Sequence, residues 1–152
     1  MQTTHVVQRF ARDGFRIVYE GADYPAGAVR FMKTEQLSGN LAVPLDWGGY
    51  VLWHTAPDIK VSLDGRFATV YPASVVETNF AFFRADGDPG AARLLDEYPT
   101  TLVLAPSGAA TPVHHRANWR VLYRDEVAEL YGSGEPQATE VGHAPTGRPP
   151  FP

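Results

Sequence analysis

The chain of 152 residues contains no cysteine. That excludes disulfides, cysteine-ligated zinc, iron–sulfur clusters and a thiol nucleophile. Lysine is nearly absent: Lys33 and Lys60 stand beside eleven arginines. Acids outnumber bases 17 to 13, for a formal charge of −4. A general nucleic-acid binder would carry a basic patch or stripe instead, so no nucleic-acid partner is expected. Long apolar runs are missing too. The longest uncharged run, Tyr98 to Val113, is broken by Pro99, Pro106, Gly108 and Pro112, whereas a spanning helix needs about 20 mostly apolar residues. Met1 to Gln8 is short and polar, and Arg9, Arg12, Asp13 and Arg16 follow, which is no secretory leader. The polypeptide is therefore expected to be soluble.

What is present suits one domain of ordinary size. Apolar residues make up 44% and aromatics 12%, enough for a packed core rather than a chain disordered throughout. Residues 1–14 read as an arm or short strand, 15–131 as a single α/β domain, and 132–152 as a flexible tail. Nine of the last 21 residues are Gly or Pro, without apolar periodicity.

Alternation in Phe15–Glu20 predicts a strand. Pro25 opens a helix over Ala26 to Leu37 with Ala26, Val29 and Met32 as its apolar stripe. Gly39 is the expected left-handed cap. Asn40–Val43 reads as a buried strand. Trp47 to Thr55 reads as a helix with Asp46 as N-cap, its Gly48-Gly49 pair permitting close packing. Ile59–Leu63 is a strand. Pro72 to Arg84 is a helix with Val75, Val76, Asn79, Phe80 and Phe83 inward. Ala91 to Tyr98 is a short helix burying Leu94, Leu95 and Tyr98, and Thr101–Ala105 is an apolar strand. Val113–Asn118 is one helical turn. Trp119–Arg124 and Val127–Tyr131 form a hairpin around Asp125-Glu126. Strands alternating with helices imply an α/β fold: three layers, a mostly parallel sheet flanked by helices, and a closing antiparallel hairpin.

Ligands of open α/β sheets sit beyond the carboxyl ends of parallel strands. Here those ends lead into Leu45-Asp46-Trp47, Asp64-Gly65-Arg66 and Pro106-Ser107-Gly108. Asp46, Trp47, Asp64, Arg66 and Ser107 are thus the candidate ligand-binding residues. Two carboxylates suit acid–base chemistry of the glycosidase kind. Arg66 suits a phosphate or sugar carboxylate held in a guanidinium fork. The structural alternative is that Asp46 caps a helix while Asp64 and Arg66 pair with each other. His114-His115 resembles metal chemistry, but adjacent side chains diverge and no acid lies near in sequence. Ser107 lacks the nucleophile-elbow pattern, and no dinucleotide or phosphate-loop glycine motif occurs. No catalytic residue, metal or cofactor is expected. The aromatics Trp47, Tyr50, Trp53, Tyr71, Phe80, Phe82 and Phe83 suit core packing, with stacking on sugars or bases as the alternative.

Asp46-Trp-Gly-Gly-Tyr-Val-Leu-Trp53, then Pro57, Lys60-Val-Ser-Leu-Asp-Gly-Arg66 and Val70-Tyr-Pro72, form a pattern in this order and spacing. Tyr24-Pro25 with Ala28-Val29, Leu94-Leu-Asp-Glu-Tyr98 and Trp119-Arg-Val-Leu-Tyr-Arg-Asp125 flank it. Together they resemble the soluble C-terminal domain of bacterial multi-pass membrane proteins of the polyprenyl-phosphate-sugar (dolichyl-phosphate-mannose mannosyltransferase-like) glycosyltransferase type. The resemblance covers roughly Ala22 to Tyr131. It implies an extracytoplasmic accessory domain attached to a membrane-embedded parent, whose catalytic acids lie in loops between membrane helices. A glycan, a lipid-linked sugar or a protein partner would be its ligand. The alternatives are a free-standing sugar- or nucleotide-binding protein using the same rim, and a pure protein-interaction module.

Overall fold

The computed structural model describes residues 24–84 and 90–134. The arm, the strand expected at Phe15–Glu20, and the tail beyond residue 134 lie outside the described residues. Four α-helices occur among the described residues: α1 (Ala26–Thr34), α2 (Leu45–Thr55), α3 (Ala73–Arg84) and α4 (Arg93–Glu97). Five strands accompany them: β1 (Gly39–Ala42), β2 (Ile59–Val61), β3 (Leu102–Pro106), β4 (Trp119–Arg124) and β5 (Ala128–Ser133). None of these helices is long and apolar enough to cross a membrane.

The strands form one sheet in the order β2-β1-β3-β5-β4. β1 pairs in parallel with β2 and β3, whereas β5 is antiparallel to both β3 and β4. The fold is therefore mixed α/β, and parallel pairing holds two of its four junctions rather than most of them. The closing hairpin accounts for the difference: β5 inserts between β3 and β4 instead of extending the sheet by a single edge strand.

Alternation along the strands sends side chains to opposite faces. Leu41, Val43, Leu102, Leu104, Ala128 and Leu130 point to one face, where they meet Ala28, Val29 and Met32 of α1 and Trp47 and Val51 of α2. Ala42, Val103 and Tyr131 point to the other, against Phe82 of α3 and Leu94 of α4. Each fully buried large side chain contributes about 1.5–3 kcal/mol.

Several local expectations are corrected. Helix α1 buries Ala28 rather than Ala26. It stops at Thr34, and Gln36 at φ +51 takes the left-handed position that ends it, while Gly39, at φ +125, opens β1 instead of capping the helix. The Leu37 N–H reaches the Met32 carbonyl at 2.9 Å, closing the wide turn typical of such caps. Helix α2 begins at Leu45, so Pro44 occupies the N-cap and Asp46 falls inside the first turn. There its charge complements the positive helix end. In α3 the fully buried ring is Phe82, while Val75, Phe80 and Phe83 are only partly covered. In α4 Leu94 is buried, but Leu95 and Tyr98 are half-buried. The helical turn expected at Val113–Asn118 is a 3-10 turn over Pro112–His115. Gly132 and Ser133, expected in the tail, belong to β5, because Gly132 pairs with Leu102.

Candidate functional site

Because β1, β2 and β3 are parallel, their carboxyl ends share one edge of the sheet. β1 leads through Pro44 into the first turn of α2 and β2 leads to Asp64. β3 leads to Ser107, whose N–H donates to the Val127 carbonyl at 2.9 Å. The first turn of α2 lies directly on this edge: a Cβ on Gly48 would overlap the Leu63 carbonyl and crowd Asp64 Cα. Asp46, Asp64, Arg66 and Ser107 are thus on one rim.

Only two of the five expected residues bond to one another. Asp64 is buried, with a side chain 3% exposed, and Arg66 reaches down to it. Arg66 Nε donates to Asp64 Oδ1 at 3.0 Å and Nη2 to Oδ2 at 2.6 Å. The Arg66 backbone N–H adds a bond to Oδ1 at 2.9 Å. The Tyr71 hydroxyl donates to Oδ2 at 2.9 Å. The Arg66 side-chain bond, against the opposing effect of burial, lowers the Asp64 pKa to about 2. Asp64 is therefore an ionised acceptor at neutral pH, unsuited to donating a proton. The same pairing raises the Arg66 pKa further. Burial and the Asp64 carboxylate raise that of Tyr71. Arg66 itself remains 58% exposed, so the carboxylate fixes the guanidinium while leaving it open to solvent.

Asp46 and Ser107 are exposed on the same edge. Trp47 is corrected from rim to core: it is 8% exposed and packs in the cluster beneath α1 and α2. Its ring offers little face to a ligand.

A second polar group on this edge is not among the residues expected from sequence. Glu129 of β5 stands opposite Ala105, next to the end of β3, and is buried. The Tyr131 hydroxyl donates to it, and Arg124 Nε lies 2.9 Å from its Oε1. Burial opposes ionisation of Glu129, but the Tyr131 hydroxyl, the Gly108 N–H and Arg124 outweigh it, and its pKa is lowered. Burial, then Glu129, pushes the Tyr131 hydroxyl up to about 12. His114 Nε2 lies 3.0 Å from the same hydroxyl. With its single proton engaged by Glu129, the hydroxyl accepts from His114, which fixes the Nε2–H form of that ring. His114 is thereby tied to β5. Among the described residues no group of three His, Asp or Glu side chains is placed to hold a metal.

One signal in the sequence bears on the residues missed. Glu129 keeps step with Val127 and Tyr131 along an alternating strand, so an acid occupies an inward position that demands partners. Tyr71 follows Asp64 across a turn-rich stretch, Gly65 to Val70, and no periodicity links the two. The chain matches no family model, no curated protein and no solved structure.

Proposed function

We propose that the chain is a non-catalytic accessory domain of a membrane glycosyltransferase-like protein, with its ligand-binding face at the carboxyl edge of the parallel strands. One observation carries the ligand reading: Asp64 and Tyr71 hold the exposed Arg66 guanidinium in a fixed orientation. A side chain ordered in advance loses less entropy on binding, and the planar fork suits phosphate or carboxylate. The ligand is a glycan or a lipid-linked sugar, with Asp46, Arg66 and Ser107 around it and Asp64 beneath, holding Arg66. The neutral-pH ionisation of Asp64 supports binding over acid catalysis. The membrane parent and the extracytoplasmic side follow from the resemblance in Asp46–Trp53 and Lys60–Arg66. In this reading the architecture is three-layered, supported by apolar clusters on opposite faces of the sheet.

Two experiments test it. Reading the gene upstream of the Met1 codon is expected to reveal several apolar spans in frame; an upstream stop codon with no membrane-protein gene beside it overturns the parent. Calorimetric titration with a soluble glycosyl phosphate is expected to show binding that Arg66→Gln removes while the circular dichroism spectrum is kept. Binding unaffected by Arg66→Gln overturns the rim.

A second reading, a protein-interaction module, is favoured by Trp53, which is 85% exposed on α2. Large exposed apolar side chains mark contact surfaces when clustered. A concentration-dependent dimer that Trp53→Ala abolishes would support it, and a monomer at all concentrations counts against self-association as its form.

A further inference from the structure

We propose that a cavity at the amino edge of the sheet, opposite the rim, binds an amino-acid zwitterion with an apolar side chain, free or as a short peptide. It shares no residue with the rim, so the two sites stand or fall separately.

Helix α1 leads into β1 and α2 into β2, so both helices end at the amino edge. Between their last turns and the starts of these strands lies a cavity of about 620 Å³. Small-molecule sites span about 300–1,000 Å³ and combine an apolar lining with a few polar groups. Here Met32 and Ile59, both buried, and half-buried Leu37 supply the apolar part. Lys33, Gln36, Ser38, His54 and Asp58 supply the polar part.

Two opposite charges line this cavity without meeting. Neither Lys33 nor Asp58 takes part in an ion pair among the described residues. Lys33 sits in the last turn of α1, where a cation suits the negative helix end. Asp58 has no such structural role. It lies just past the end of α2, where a carboxylate meets the same partial negative charge and is disfavoured. The local bonding leaves that end open. Pro57 has no N–H to give the Trp53 carbonyl, and the Asp58 N–H turns to the Thr55 carbonyl at 3.1 Å instead of to that of His54. A carboxylate beside open helix carbonyls calls for a cation, and Lys33 does not reach it.

A zwitterion meets these demands together. Its ammonium sits by Asp58 and the end of α2, its carboxylate takes Lys33 as donor, and its side chain covers Met32, Leu37 and Ile59. Gln36 adds an amide to the wall. It does so from φ +51, a backbone position that favours glycine.

The test titrates the intact chain with leucine, leucyl-leucine, N-acetyl-leucine, which lacks the ammonium, and leucinamide, which lacks the carboxylate. Backbone amide shifts are followed by NMR. A zwitterion is expected to move the amides of Gln36, Leu37, His54 and Asp58 and to bind about tenfold or more tightly than either singly charged analogue. Tighter leucine identifies the free amino acid, and tighter leucyl-leucine the peptide. Asp58→Asn should weaken leucine and leucinamide about tenfold and leave N-acetyl-leucine unchanged. Its melting temperature should not fall, because it removes a charge that the helix end disfavours. Lys33→Gln should weaken leucine and N-acetyl-leucine and leave leucinamide unchanged. If the singly charged analogues bind as tightly as leucine, or if either variant weakens all probes alike, the zwitterion is overturned. If neither leucine nor leucyl-leucine moves these amides, the site is overturned, whatever the rim binds.

Discussion

Gly48 in the first turn of α2 rests against the backbone of Leu63, so closely that a Cβ there would occupy the Leu63 carbonyl oxygen. Its neighbour Gly49 has no atom within 4 Å of the equivalent point. Adjacent glycines thus serve different ends. The first lets a helix seat on the strand end that carries Asp64; the second leaves open space.

The two should respond oppositely to alanine. Gly48→Ala must push α2 off the strand end and is expected to destabilise by about 3 kcal/mol. Gly49→Ala gains helix propensity without a clash and is expected to stabilise by about 0.5–1 kcal/mol. Urea unfolding of both variants checks this; equal effects would contradict the close approach.

Asp64 gives the fold an acid limit. Its pKa is lowered from 3.8 to about 2, chiefly by the Arg66 side-chain bond. A depressed carboxylate adds stability above its unfolded pKa and loses it as pH falls through the folded one. The contribution of about 2 kcal/mol should therefore disappear between about pH 4 and pH 2. Asp64→Asn is expected to lose it at neutral pH and to flatten that part of the stability–pH curve. An unchanged curve would show that the pair contributes nothing.

Tyr131 sets a matching alkaline limit. Its hydroxyl is raised from 10.0 to about 12, by burial first and then by Glu129. A raised pKa gives stability that is whole below the unfolded value and fades as pH rises through the folded one. Stability should therefore decline between about pH 10 and pH 12, and Tyr131→Phe should reduce that decline. The ultraviolet titration of tyrosinate provides the direct reading, with one fewer late-ionising group expected in the variant than in the parent, where Tyr71 and Tyr123 are raised as well.

His114 is expected to hold its proton on Nε2 when neutral, because Tyr131 donates to Glu129 and must accept from the ring. Nitrogen chemical shifts of the imidazole distinguish the tautomers. A neutral ring protonated only on Nδ1 would reverse the direction of this chain of bonds. Glu129→Gln should release the preference, since the amide can donate to Tyr131.

Phe82 is the fully buried ring of α3. Phe82→Ala is expected to cost about 3–5 kcal/mol, and Phe80→Ala under 2 kcal/mol because that ring is half-exposed. Thermal unfolding ranks them; a larger loss at Phe80 would reverse the assignment of the inward face.

Much of the fold was legible because short elements are set by local pattern. Asn40–Val43 and Thr101–Ala105 are apolar runs between breakers, and both lie within a residue or so of β1 and β3. Helix phase was harder. The closely spaced aromatics Phe80, Phe82 and Phe83 leave several apolar faces of similar strength, and tertiary packing selected Phe82. The site was half legible. Asp64 and Arg66 are two residues apart, so their pairing could be weighed from sequence. Tyr71 reaches Asp64 from beyond a turn, and Arg124 meets Glu129 only through hairpin register. Contacts of that kind depend on the assembled sheet.

The place of β3 has a consequence for how the protein forms. β1 and β3 lie side by side, with the Asn40 N–H donating to Thr101 Oγ1 across a separation of 61 residues. β3 is also the middle strand of five. Until the last third of the chain is available, β1 and β2 have no central strand on which to build, and the apolar rows of α1 and α2 have only part of their floor. Folding must therefore bear the loop-closure entropy early, a feature of slow, non-local assembly. A nascent chain emerging at about 5–20 residues per second would stay incomplete until the closing hairpin clears the ribosome.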